Sequence, residues 1–189
     1  LLTSVKKIVP AMEYILETEQ GIDGFLCPGH VSVITGSKVF DELAVKYKKP
    51  FVVAGFEAEH ILLAIYEIIC QHEKGIFNVR NFYTSVVSDE GNKKAMELVN
   101  KYFTIADDYW RGIGRIDNSA LRIKEEYSEF DAGSSFDNTI EEKIKGCRCT
   151  DVILGRIAPS DCPLFGTACT PISAVGPCMV SGEGACGIW

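Results

Sequence analysis

The chain has 189 residues, of which 47 % are hydrophobic and 24 % charged; this composition suits an ordinary soluble globular protein with one good core or two modest domains. A formal charge of −7 argues against a general phosphate-binding surface, which needs clustered Lys and Arg, so nucleic acid is not expected as a partner. The N-terminal stretch has no basic region ahead of a long apolar run, and the longest apolar stretch, Ile61 to Cys70, is broken by Glu67. It is far short of the roughly 20 residues a membrane helix needs, so no membrane association and a cytoplasmic location are expected.

The chain begins without Met and inside an amphipathic pattern, which suggests a fragment. Short apolar runs then alternate with helical patterns, predicting an α/β fold with a largely parallel, Rossmann-like sheet. Pro10 suits the first turn of a helix to about Glu19, and Gly21 and Gly24 release the chain into a short strand, Phe25-Leu26-Cys27. Ser37 is a candidate N-cap for a helix through Lys49, followed by the buried strand Phe51 to Ala54. Ile61, Leu62, Ile65, Ile68 and Ile69 recur at helical spacing up to Gly75 and are expected to pack on the sheet. Val79 to Val87 reads as a strand, Asp89-Glu90 as the opening of a helix through Tyr102, and Trp110 to Ile116 as another extended segment.

After Asp117 the pattern changes to a polar helical stretch around Ile123 to Tyr127, the loop-like DAGSSFDN, and a tail holding four of the seven Pro. The division expected is an α/β domain at 1–118 and a small Cys-rich domain at 119–189. The tail has little periodicity, so a metal, cluster or set of disulfides must supply part of its order.

Six of the eight Cys fall in that tail: Cys147, Cys149, Cys162, Cys169, Cys178 and Cys186. None forms a CxxC pair, and all three His lie at or before position 72, so a zinc-stabilised interaction module is the weaker reading. An iron–sulfur cluster takes four thiolates from irregular backbone and accepts wide spacings, which leaves two Cys for dithiol chemistry. Three structural disulfides rank last, because nothing else suggests secretion. Cys27 and Cys70 read as small buried hydrophobes.

In an open α/β sheet, ligands collect beyond the carboxyl ends of the strands. His30 and Glu57 follow two such ends and would face one cleft; as plain structure, His30 would anchor a loop and Glu57 would favour a helix N-terminus. His60 and His72 read as surface positions. Trp110-Arg111-Gly112-Ile113-Gly114 suits partner docking or an anionic group, and equally a structural edge. The segment EFDA at 129–132 would close the two regions together.

The tail, CRCTDVILGRIAPSDCPLFGTACTPISAVGPCMVSGEGAC, is very similar to the C-terminal end of the HypD family of hydrogenase maturation factors. GFLCPGHVSVITG, VVAGFE, EGN, WRGIG and FDA match the same family in the same order, from about Gly21 onward. The resemblance implies a scaffold and redox protein rather than a turnover enzyme. On it, the Fe(CN)2CO unit of nickel–iron hydrogenases is assembled with a HypC-like chaperone and a HypE-like cyanide donor. The implied fold is two α/β domains and a four-iron, four-sulfur cluster domain. By order along the tail, Cys147, Cys162, Cys169 and Cys186 would be the cluster ligands, and Cys149 with Cys178 the redox pair; His30 and Glu57 would line the cleft. The family's iron-holding CxxC is absent from this sequence, Ser85 stands where the family usually has Arg, and GFEAEH departs from the usual continuation. A cluster-dependent disulfide reductase is the alternative from another class.

Overall fold

A computed structural model describes every residue except Leu2, Gln20, Arg111 and 134–144. Two three-stranded sheets organise it. The parallel sheet comprises β2 (Phe25–Pro28), β3 (Phe51–Ala54) and β4 (Val79–Asn81), in the order β2-β3-β4. All four residues of β3 are buried, as expected of a continuous apolar run covered on both faces. On one face Phe51 and Val53 meet Met12 of α1 (Ile8–Thr18) and Leu43 and Ala44 of α3 (Asp41–Tyr47). On the other, Val52 and Ala54 meet Ala64 and Ile68 of α4 (Ala58–Lys74).

Helix α4 has the expected span and stops at Gly75, whose φ of 63° is left-handed. Its packing differs from the expectation. The face on the sheet carries Ala64 and Ile68 with the buried Gln71, while Leu62, Ile65 and Ile69 are exposed. A small side chain lets the helix approach β3, and Gln71 is compensated by hydrogen bonds: its Nε2 donates to Glu67 Oε1 (3.0 Å) and Asn78 Oδ1 (3.1 Å), and its Oε1 accepts from Asn78 N–H (2.9 Å). Apolar residues lie round more of α4 than one sheet can cover.

The second sheet is antiparallel: β1 (Val5–Lys6) pairs with β6 (Gly114–Ile123), and β6 with β5 (Phe103–Trp110). The predicted extended segment Trp110 to Ile116 is therefore the end of β5 and the start of β6 with a hairpin turn between them, where Gly112 and Gly114 have positive φ. Strand β6 continues through 118 and 119 as a bulge, where its register with β5 shifts and Asn118 has a φ of 55°. The expected long strand from Val79 ends at Asn81, because Asn81 turns the chain: its Nδ2 donates to Val87 O and its Oδ1 accepts from Tyr83 N–H. Asn92, rather than Asp89 or Glu90, caps α5 (Lys93–Tyr102), its Oδ1 accepting from Ala95 N–H at 3.0 Å. The stretch GHVSVIT, to which the pattern assigns no element, is a helix, α2 (Gly29–Thr35), and Ile123 to Tyr127 is the end of β6 followed by a 3-10 segment over Glu125–Phe130. Ser37 makes no side-chain cap. The tail is mostly turns, with one short helix, α6 (Cys149–Ile153).

Among the described residues, no helix is long and apolar enough to cross a membrane.

Candidate functional site

The six tail cysteines converge. Cys149, Cys162, Cys169, Cys178 and Cys186 are buried, Cys147 is half-buried, and Val152 and Met179 pack among them with Leu164, Phe165 and Val175 at the margin. Short turns place each one. Cys149 opens α6, and Cys162 follows a 3-10 turn at Pro159–Asp161, where Asp161 Oδ2 accepts from Ala158 N–H at 3.0 Å. Leu164 O accepts from Cys169 N–H, turning that residue back. Cys178 O accepts from both Cys186 N–H and Gly187 N–H at 3.1 Å, which draws the last two cysteines together.

Cys178 Sγ lies 3.1 Å from Cys186 Sγ. Burial pushes the Cys149 thiol up; the neighbouring Cys178 thiol adds to this, and the Cys178 N–H opposes it. Burial likewise pushes Cys186 up to about 12, with Cys178 again the first side-chain contributor. Cys178 therefore neighbours both Cys149 and Cys186. Cys147 is raised by burial too, partly offset by the Cys149 N–H, and faces Cys162, Cys178 and Cys169.

Three observations bear on what this pocket can hold. Cys169 Sγ accepts from two backbone N–H groups, Val175 at 3.3 Å and Gly176 at 3.5 Å, donors of the kind that tune cluster sulfurs. Gly176 leaves room for a sulfur: a Cβ there would be 2.6 Å from Cys147 Sγ. Burial and the neighbouring sulfurs disfavour the thiolate at Cys147, Cys149 and Cys186 until a positive charge is present. Among the described residues, no group of three or more His, Cys, Asp or Glu is arranged to hold a metal ion. The donor set, four thiols and more in irregular backbone, suits a polynuclear iron–sulfur cluster, where each iron needs one protein sulfur.

Two outside elements close on the pocket. The hairpin tip from WRGIG reaches it: Gly112 has φ 81°, and its missing side chain faces Ile153 Cδ1 and Cys149 Sγ, 3.4 and 3.6 Å from an ideal Cβ. Next to it, Trp110 Nε1 is buried without a hydrogen-bond partner among the described residues; Arg111, the cation of that motif, lies outside the described residues. At the other side, Arg156 joins Asp151 of α6 to Glu19 at the end of α1, with Nη1 to Asp151 Oδ1 at 3.1 Å and Nε to Glu19 Oε2 at 3.0 Å. Nothing in the sequence pattern announced Gly112, Gly176 or the Arg156 bridge as neighbours of the cysteines.

A second group gathers beyond the carboxyl ends of the parallel strands. His30, in the first turn of α2, has its ring 4.9 Å from that of Phe56, and Glu57 begins α4. Glu57 Oε2 lies 3.0 Å from His60 Nδ1, and the His60 ring is 5.8 Å from Tyr83. The carboxyl of Glu57 is held below the usual range by its own backbone N–H first, then by His60, against a desolvation penalty, and His30 adds a smaller attraction. His60 and Tyr83 thus join His30 and Glu57. The spacing of Glu57 and His60, three apart at a helix start, was a readable signal for that pair; Tyr83 was not readable.

Elsewhere, Cys27 is fully buried and its thiol is raised by burial, as expected of a core residue. Cys70 differs from the expectation: it is half-buried and belongs to neither core cluster of the parallel sheet. His72 Nε2 meets Asp23 O at 2.5 Å. The FDA segment pairs with the start of the chain, Leu1 O accepting from Ala132 N–H and Phe130 O from the Leu1 amino group; most of DAGSSFDN lies outside the described residues.

Comparison with known proteins agrees with these motifs. The family profile described as "HypD: Hydrogenase formation hypA family" matches residues 1–189. A hydrogenase expression/formation protein of Methanocaldococcus jannaschii is 44 % identical over 191 residues, covering 100 % of this chain and 53 % of the relative. The hydrogenase expression/formation protein HupD of Azotobacter chroococcum is 38 % identical, covering 95 % and 50 %. The hydrogenase maturation factor HypD of Escherichia coli is 37 % identical, covering 96 % and 50 %. The chain spans about half the length of the curated relatives it matches, and it belongs to the HypD family of hydrogenase maturation factors.

Proposed function

We propose that this chain carries the cluster and dithiol portion of a hydrogenase maturation scaffold. Cys147, Cys162, Cys169 and Cys186 would hold a four-iron, four-sulfur cluster, and Cys149 with Cys178 form a reversible disulfide. The observation that carries the reading is the position of Cys178: it is buried, neighbours the Cys149 thiol, and lies 3.1 Å from the ligand candidate Cys186. Closing the Cys149–Cys178 bond releases two electrons and two protons, and opening it consumes the same. When bound, the cluster supplies an electron donor and acceptor that works one electron at a time. The protein's own part is to keep the two thiols as neighbours in one buried cluster, to exclude water with Val152 and Met179, and to direct the Val175 and Gly176 N–H groups at Cys169.

The substrate carried by the assembled machinery would be the Fe(CN)2CO unit, with a HypC-like chaperone and a HypE-like cyanide donor as partners. His30 and Glu57 would line its cleft at the ends of β2 and β3. The layer β2-β3-β4 would be the part of a Rossmann-like domain that presents that cleft.

The test is anaerobic purification followed by iron and acid-labile sulfide analysis and an absorption spectrum. About four irons and four sulfides per chain are expected. Zinc alone in anaerobic material would overturn the cluster, and with it the role of the four ligands.

A further inference from the structure

Three features of the parallel sheet point the same way. The first is its two edges. Among the described residues, β2 and β4 each pair only with β3, but β4 presents Arg80, whose Nε lies 3.6 Å from Glu67 Oε1, whereas β2 reads Phe-Leu-Cys-Pro with no charge. Charged side chains are a usual protection of an open edge. Phe25 N–H is bonded towards β3, to Pro50 O; by strand alternation Leu26 turns its N–H and C=O outward.

The second is sidedness. Leu26 is in register with Val52, so it shares the α4 face of the sheet, and it is 46 % exposed there. The third is α4 itself. Glu67 and Gln71 turn it towards β4, through Arg80 and Asn78. At 100° per residue, Ile65 then falls on its β2 side, with Ile69 and Leu62 further round towards its outer face; Leu62, Ile65 and Ile69 are 66 %, 47 % and 51 % exposed. An uncharged edge, an uncovered leucine beside it and a helix seam of spacing i, i+3, i+7 form one surface on one side of the sheet.

We infer that this surface is the seat of a strand–helix unit from the half of the family sequence that this chain does not span. The strand adds to the free edge of β2, and its helix lies along Leu62, Ile65 and Ile69 and covers Leu26. A parallel sheet is stable when buried on both faces and extended by further strands, and an apolar seam without charged residues at its centre resembles an interface within one chain more than a transient one. The relatives supply an occupant of the right size, since the matched region is 53 % of the Methanocaldococcus jannaschii protein and 50 % of the Escherichia coli one.

The test is co-expression of this chain with the unmatched half of the Methanocaldococcus jannaschii relative, with carbene footprinting of side chains. Co-purification is expected, with labelling of Leu62, Ile65 and Ile69 reduced several-fold and the Leu26 amide protected from exchange. Ile65→Glu should cut recovery of the complex at least ten-fold without changing the melting temperature of the chain alone; Val45→Glu, at an exposed position of α3, should leave recovery unchanged. Should the heterologous half fail to co-purify, footprinting of the intact relative decides: equal labelling there of the segment aligned with Leu62–Ile69 overturns the proposal. A concentration-dependent dimer of this chain by light scattering, abolished by Ile65→Glu, would assign the seam to a second copy and overturn it equally. Iron and thiol content do not enter these readouts, so their outcome is independent of the cluster reading.

Discussion

Cys178 O receives the N–H of Cys186, and the two sulfurs stand 3.1 Å apart, while the same Cys178 thiol adds to the raising of the Cys149 thiol by burial. One thiol thus has two neighbours with which it could exchange. If Cys149 is the exchange partner, Cys149→Ser and Cys178→Ser each remove one two-electron couple in thiol trapping and keep the iron, while Cys186→Ser loses iron. The reverse pattern, with iron kept in Cys186→Ser and the couple lost, would exchange the roles of Cys149 and Cys186.

Gly176 provides a steric test of the pocket. An added methyl would sit 2.6 Å from Cys147 Sγ, well inside contact distance, and the φ of −91° at Gly176 carries no penalty for alanine. Gly176→Ala should therefore act through Cys147 alone, costing about 1–3 kcal/mol of stability by overpacking and lowering the iron bound per chain. Gly182→Ala is the control, because nothing lies within 4 Å of its Cβ position. Equal iron content in the two variants would remove Cys147 from the ligand set.

What could be read in advance divides by the range of the forces involved. The strand Phe51 to Ala54 and the helix from Ala58 were legible because periodicity and apolar runs report local burial. The faces of α4 were not: five isoleucines and leucines at helical spacing predict an amphipathic helix, yet the contact with β3 is made by Ala64 and Ile68. The choice was set by how closely the helix approaches Val52, a tertiary matter. The antiparallel pairing of Phe103–Trp110 with Gly114–Ile123 was hidden because Trp110 to Ile116 carries an extended pattern and its two glycines signal flexibility without specifying a turn. For the site, clustering in sequence marked the cysteines, but Gly112 at Cys149 and Arg156 at Glu19 are separated from their partners by long stretches of chain.

Arg156 ties the Cys-rich segment to α1. Asp151 is held below the usual carboxylate range by Arg148 first and Arg156 second, and the Glu19 side chain, mostly covered, meets the same guanidinium. Arg156→Ala should leave the α/β sheet intact and speed amide exchange over 149–156, and the difference from wild type should shrink as salt is raised. Arg156→Lys should recover only part of the protection, since a lysine cannot bridge both carboxylates with a planar fork. Unchanged exchange in Arg156→Ala would show that the hairpin contact at Gly112 alone holds the segment.

The pair at the strand ends gives a pH prediction whose sign follows from its causes. Glu57 is lowered chiefly by its own N–H and next by His60, against desolvation. A carboxyl whose folded pKa lies below its unfolded value of about 4.3 stabilises the fold above that pH and loses the contribution as pH falls through the folded value. Carbon-detected titration should therefore give Glu57 a midpoint below the ordinary glutamate range. In His60→Ala that midpoint should rise but stay below the ordinary value, because the backbone N–H remains. In Glu57→Gln the low-pH loss of stability due to this group should vanish. The His60 ring, no longer facing a carboxylate at 3.0 Å, should also lose the Nδ1 hydrogen bond, which a change in the imidazole nitrogen shifts would report. An unchanged Glu57 midpoint in His60→Ala would show that the two side chains do not interact in solution, leaving the end of β3 with only its backbone to orient the carboxylate.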